Sequence, residues 1–186
     1  ELLAGLPAPR VIDLGTGSGA IALAVKRACP RADVHASDLS DAALAVARAN
    51  GQALGLVVQW HSGAWWQAMP PGRFHLALSN PPYVAAGDPH LAALRHEPAM
   101  ALTPADDRGD GLGDIERIVG GAAARLYPGA WLLIEHGADQ GDAGGAAAGA
   151  AAEQAPAHGP VRRGQVQSGR RRIRRLQAAV RRPSRG

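Results

Sequence analysis

Apolar residues recur with two alternating periods from residue 10 to about residue 137. RVIDLG (10–15) is a short apolar run closed by glycine, the form of a buried strand. GAIALAVKRACP (19–30) sets Ile21, Ala24, Val25 and Ala28 at helical spacing and stops at Pro30. ADVHASD (32–38) alternates like a strand. Ser40 suits the cap of a helix over DAALAVARANGQAL, with Asp41 in its first turn and Gly55 just past its end. LVVQWHS (56–62) and FHLALS (74–79) read as the third and fourth strands. GDIERIVGGAAARL (113–126) reads as a helix with Ile115, Ile118, Val119 and Leu126 inward, and AWLLIEHG (130–137) as a fifth strand. Strands alternating with helices predict an α/β fold: a mostly parallel sheet covered on both faces and joined by right-handed crossovers. In such sheets ligands sit beyond the carboxyl ends of the strands.

The periodicity stops after residue 140. GDAGGAAAGAAAEQAPAHGP (141–160) is Ala/Gly/Pro low complexity, and the segment after it is arginine-rich. Trp131 is the last Phe, Tyr or Trp of the chain, and only Val161, Val166, Ile173, Leu176 and Val180 are large aliphatics beyond 140. So few apolar side chains do not offset chain entropy. The expected organisation is therefore one domain over 1–140 and a mostly disordered tail over 141–186, with a short helix near 170–182.

Charge sharpens that division. The formal net charge is +4, yet residues 161–186 hold ten arginines and no acid. Residues 1–160 keep ten basic and sixteen acidic groups, a net of −6, so the basicity belongs to the tail. An acidic body argues against nucleic acid as the partner of the folded part. The single cysteine, Cys29, excludes an internal disulfide and fits a cytoplasmic protein. No apolar run approaches the roughly 18 residues of a membrane span. The start, ELLAGLPAPR, has no basic region or signal-peptide core and opens inside a helix-like segment, as the middle of something longer would. A monomer is expected.

Two stretches carry chemistry. The first is DLGTGSGA (13–20), between the first strand and the first helix. Gly15, Gly17 and Gly19 permit tight turns and close approach of a ligand, and the helix start supplies free N–H groups. Asp38, at the end of the second strand, follows Gly19 by 19 residues and is placed to accept both hydroxyls of a ribose. This pattern suits an adenosine-type cofactor without naming it, and G-x-G-x-x-A also matches the dinucleotide fingerprint.

The second is SNPPYV (79–84), at the end of the fourth strand. Two prolines end any ladder, and a rigid strand exit would account for them alone. At the cofactor edge they acquire a further use. An amide or exocyclic amine nitrogen is a poor nucleophile because its lone pair is delocalised. The Asn80 side-chain carbonyl and a neighbouring backbone carbonyl, that of Pro81, can grip its two N–H bonds. The prolines fix the geometry and Tyr83 offers a flat face. Attack on a sulfonium methyl would then gain from orientation and fixed dipoles. Hydride transfer has no need of this device, so GTGSG together with NPPY favours S-adenosylmethionine. No metal spacing is present among His35, His61 and His75.

DLGTGSGAIALA, SNPPYV, DPHLAALRHEPAMALTP, DGLGDIERIV and WLLIEHGADQG, in this order over residues 1 to about 141, resemble the protein-(glutamine-N5) methyltransferases, in particular the release factor glutamine methyltransferases. The resemblance implies a class I S-adenosylmethionine-dependent, Rossmann-like three-layer sandwich with a mostly parallel sheet. It implies methylation of the glutamine in the Gly-Gly-Gln loop of class 1 peptide chain release factors, in translation termination. By the same resemblance Gly15, Thr16, Gly17, Ser18 and Gly19 wrap the methionine part, Asp38 holds the ribose, and Trp65 lies near the adenosine. Asn80, Pro81, Pro82 and Tyr83 grip the target glutamine, with Asn80 also bordering the cofactor.

The chain departs from that family in three ways. The small helical domain that the resemblance implies ahead of the catalytic one is expected to be lacking, and Ala64 stands where related sequences often carry an acidic or polar residue. The last helix and two strands are also missing after EHGADQG, which suggests a frameshift near 142–145 and an exposed sheet edge. Smaller signals read as structural: His136 as a rim histidine, Glu97 as a surface salt bridge, Cys29 as packing, and Glu135 as a candidate partner for the loop after NPPY. The alternatives are a methyltransferase acting on a ribosomal protein glutamine or on adenine N6 or cytosine N4 of DNA. A nicotinamide-dependent oxidoreductase and a nucleotide-binding scaffold remain behind them.

Overall fold

The computed structural model describes residues 2–83, 110–137 and 140, and the backbone of 162–165. Its strands are β1 (Arg10–Leu14), β2 (Asp33–Asp38), β3 (Gln59–Ser62), β4 (Phe74–Ser79), β5 (Leu126–Ile134) and β6 (Arg162–Gln165). Its helices are α1 (Ala20–Ala28), α2 (Asp41–Leu54) and α3 (Gly113–Arg125), with a 3₁₀ turn over Trp65–Ala68 before β4. The strand order is β3-β2-β1-β4-β5-β6, and every pairing is parallel. The order reverses at β1, whose neighbours are β2 and β4, and this opens a crevice beyond the carboxyl ends of those strands.

Alternation within β1 explains the layers. Ile12 and Leu14 join Trp66, Phe74, Ile115, Ile118 and Val119 under α3. Val11 turns the other way and joins Ala22, Leu23, Val34, Ala36 and Leu133. The fully buried Ile12, Leu14 and Phe74 each contribute about 1.5–3 kcal/mol of burial free energy.

Local chemistry sets the ends of α2. The Ser40 hydroxyl accepts from the Ala43 N–H at 3.2 Å, and Gly55 closes the helix at φ 64°, a left-handed conformation that glycine adopts without strain. The α3 helix is pinned to the 3₁₀ turn. Trp66 Nε1 donates to the Ile118 carbonyl at 2.7 Å, and the Arg125 guanidinium donates to the carbonyls of Trp66, Met69 and Pro70. A side chain at Gly121 would collide with the Trp66 ring, so the close approach needs glycine there.

Four features differ from the sequence reading. In α1 the buried residues are Ala22 and Leu23, while Ile21, Ala24 and Ala28 are exposed. The helix is apolar on nearly every side, so spacing does not fix its rotation; the Asp13 carboxylate does, by accepting from the Ala22 N–H at 3.2 Å. The third strand begins at Gln59, leaving Val57 exposed. The fifth begins at Leu126, directly from α3, and bulges before the regular pairing of Trp131–Ile134. Beyond 140, where the sequence suggested no strand, the backbone of Arg162–Gln165 pairs with Trp131–Ile134. Ladder bonds need no apolar side chain, and they cover an edge that was expected to be exposed. The loop expected after NPPY with Glu97, the frameshift position and the 170–182 helix lie outside the described residues. Among the described residues no helix is long and apolar enough to cross a membrane.

Candidate functional site

The glycine loop leaves β1 at the crevice. Gly15, Gly17 and Gly19 take φ values of 71°, 55° and 81°, and Ala20 starts α1 immediately after. Thr16 N–H donates to the Ser37 carbonyl at 2.8 Å, tying the loop to the end of β2. Asp38 Oδ2 accepts from Gly17 N–H and Oδ1 from Ser40 N–H, both at 2.8 Å. The carboxylate is thus held rigidly at the loop, with a further lone pair on each oxygen. Ser18 is exposed, and its carbonyl accepts from Asn50 Nδ2 at 2.9 Å.

Trp65 lies across the loop from the other side. A Cβ on Gly15 would sit 3.0 Å from its ring. Trp65 is itself at φ 45°, an uncommon backbone conformation for a tryptophan, and its Nε1 donates to Asp114 Oδ1 at 3.2 Å. Arg117 pairs with the same Asp114 oxygen.

The Asn80–Tyr83 segment emerges beside the loop. Ser79 Oγ donates to the Leu14 carbonyl at 2.7 Å, one residue before Gly15. Asn80 is exposed, Pro81 is fully buried, and Pro82 and Tyr83 are half-buried. Glu135 N–H donates to the Ser79 carbonyl at 3.0 Å, and Tyr83 OH donates to Glu135 Oε1 at 3.4 Å. The glycine loop, Asp38, Trp65 and Asn80–Tyr83 therefore lie together at one edge of the sheet. His35, stacked on His61 and bonded to Asp33, sits away from it, as does His75, which accepts from the Arg10 N–H.

Residues 2–100 match the family described as Methyltransferase small domain. The chain belongs to this methyltransferase family. It is 54% identical over 144 residues to a release factor glutamine methyltransferase of Bordetella pertussis, which covers 76% of the chain and 52% of that relative. It is 51% identical over 137 residues to one of Xylella fastidiosa, covering 72% and 49%. The chain spans about half the length of the curated relatives it matches. A ribosomal protein L11 methylase from Lactobacillus delbrueckii superposes with a TM-score of 0.57 at 17% identity, covering 80% of this chain and 62% of that one. That likeness shows the expected fold, the Rossmann-like class I methyltransferase sandwich.

Two residues of this methyltransferase site went unremarked in the sequence. Asp13 is buried beneath the loop, where Oδ2 accepts from Thr16 Oγ1 at 2.6 Å and from Ala22 N–H, while Oδ1 has no partner among the described residues. Burial pushes its carboxyl up to about 6, and the Asp38 charge adds to this against the lowering by its two hydrogen bonds. The signal was available, because alternation in RVIDL puts an acid at an inward position. Gln140 lies within WLLIEHGADQG, and no periodicity reveals its contacts.

Proposed function

We propose that the chain transfers a methyl group from S-adenosylmethionine to the side-chain amide nitrogen of the glutamine in the Gly-Gly-Gln loop of class 1 peptide chain release factors. The observation that carries this is the Ser79–Leu14 hydrogen bond, which sets Asn80–Tyr83 directly beside Gly15–Gly19. The relatives named release factor glutamine methyltransferase support the choice of acceptor.

The site fits the cofactor on three counts. Positive φ at the three loop glycines lets the backbone turn tightly and come close to a ligand. A Cβ at Gly15 would fill the space under Trp65. Asp38 is held in place with acceptor capacity remaining. Gly15, Thr16, Gly17, Ser18 and Gly19 would hold the methionine part, Asp38 the ribose and Trp65 the adenosine side, with Asn80 at the border. When bound, the cofactor supplies an electrophilic methyl on sulfonium.

The chain's own residues do the rest. The Asn80 side-chain carbonyl and the Pro81 carbonyl accept from the two N–H bonds of the target amide and orient its nitrogen. Tyr83 gives the planar group a flat face, and Pro81 and Pro82 keep the segment from rotating. The gain comes from orientation and fixed dipoles, and the proton leaves after the methyl has arrived. Residues 1–140 carry these groups, and the protein acts in the cytoplasm as a monomer.

Methyl-labelled S-adenosylmethionine offered to the chain with a release factor and unmethylated duplex DNA in one tube tests the reading. Label on the release factor supports it. Label on DNA, or label on the release factor that survives Asn80→Ala, contradicts it.

A further inference from the structure

Three chain segments meet at one side-chain amide. Gln140 Nε2 donates to the Tyr83 carbonyl at 2.9 Å and to the Asp110 carbonyl at 2.7 Å. Its Oε1 accepts from the Gly137 N–H at 2.9 Å. Both N–H donors and the carbonyl oxygen are engaged, which fixes the orientation of the amide. The joined segments are the exit of β4 through NPPY, the turn before α3, and the loop after β5. Gly111 makes the meeting possible. Its φ is 69°, and a side chain there would collide with the Tyr83 carbonyl and lie 2.8 Å from Gln140 Nε2.

We propose that Gln140 is a positioning residue for methyl transfer, anchoring the Tyr83 carbonyl and through it the Asn80–Tyr83 grip. The proposal rests on the acceptor role given to Asn80–Tyr83 above. At its start the grip is fixed by Ser79, which is paired in the sheet and bonded to the Leu14 carbonyl. Within it, the two prolines restrict rotation. Its far end is the Tyr83 carbonyl, and Gln140 holds that point against two other elements of the fold. Glu135, which meets the Tyr83 hydroxyl, follows the same strand β5 whose exit Gln140 caps through Gly137. None of Gln140's hydrogen bonds reaches the glycine loop or Asp38, so its loss should spare cofactor binding.

Gln140→Glu tests this in the full chain. The variant keeps one carboxylate oxygen as acceptor for Gly137 but turns the other toward the Tyr83 and Asp110 carbonyls. The expected result is a fall in kcat toward the release factor of about 10- to 100-fold, the cost of misplacing a grip by about 1 Å. The affinity for S-adenosylmethionine, read by calorimetry, should stay within about two-fold of the unaltered chain. The ratio of variant to unaltered kcat should rise as pH falls, because a protonated carboxyl regains one donor. Equal kcat in the two chains, a pH-independent ratio, or a loss of transfer that tracks lost cofactor affinity would each overturn the proposal.

Amide exchange separates this from the proposed function. In Gln140→Ala, Gly137 N–H loses its acceptor and should exchange about ten-fold faster or more, with Gly17 N–H unchanged. If the unaltered chain methylates no release factor, the acceptor assignment fails, and so does the positioning role. Faster Gly137 exchange would then leave only the clamp geometry standing. Unchanged Gly137 exchange overturns the clamp itself, whatever the activity.

Discussion

Asp13→Asn has a consequence whose sign depends on pH. The carboxyl is raised from the ordinary 3.8 to about 6 in the folded chain, first by burial and further by Asp38, so the fold holds a proton that the unfolded chain releases earlier. A group raised in this way contributes stability that is complete below about pH 4 and is lost as pH rises through about 6. Two units correspond to roughly 3 kcal/mol between those limits. The variant removes the titration and leaves a buried amide N–H₂ where Oδ1 now has no partner among the described residues, costing about 1–3 kcal/mol at every pH. Asp13→Asn should therefore be clearly destabilised relative to the unaltered chain at pH 4, and the difference should shrink by roughly 2–3 kcal/mol by pH 7. Urea unfolding followed by tryptophan fluorescence at a series of pH values reads this directly. Asp33 is held below its ordinary value, as burial is outweighed by His35, Arg10 and Gln59, and burial also lowers His61 and His75. Those groups titrate in both chains and cancel in the difference. A difference that stays constant from pH 4 to pH 7 would refute the buried, protonated carboxyl.

Gly15→Ala should weaken S-adenosylmethionine binding by about ten-fold or more and lower stability by roughly 1–2 kcal/mol. It places a Cβ 3.0 Å from the Trp65 ring at a left-handed φ, and calorimetry with a parallel melt checks it. Ser40→Ala removes the cap of α2 and should cost about 1 kcal/mol in urea unfolding without altering cofactor affinity at saturation.

The parts legible in the sequence were those whose cause is local. Ser40 and Gly55 mark both ends of α2 because capping and a left-handed φ are properties of single residues. The apolar runs of β1 and β4 mark strands because both faces of a parallel sheet are covered, and β2 is marked by its alternation. The glycine loop and NPPY were legible as chemistry because their residue types are poor choices for ordinary strand and helix interiors.

What escaped depends on distant partners. The rotation of α1 is set by Asp13 reaching Ala22, and a helix of alanine, leucine, isoleucine and valine does not reveal it. The early start of β5 follows from its bulge against β4, and the strand at Arg162–Gln165 from the open ladder of β5. Gln140 gains its meaning only when Tyr83, Asp110 and Gly137 come together from three parts of the chain.

The most direct test of the central claim is peptide mapping by tandem mass spectrometry of an unmethylated release factor incubated with the chain and S-adenosylmethionine. The expected result is one added methyl on the side-chain amide of the Gly-Gly-Gln glutamine, absent when Asn80→Ala replaces the chain. A methyl on another residue, or an equal yield from Asn80→Ala, would contradict the assignment of Asn80–Tyr83 as the acceptor grip.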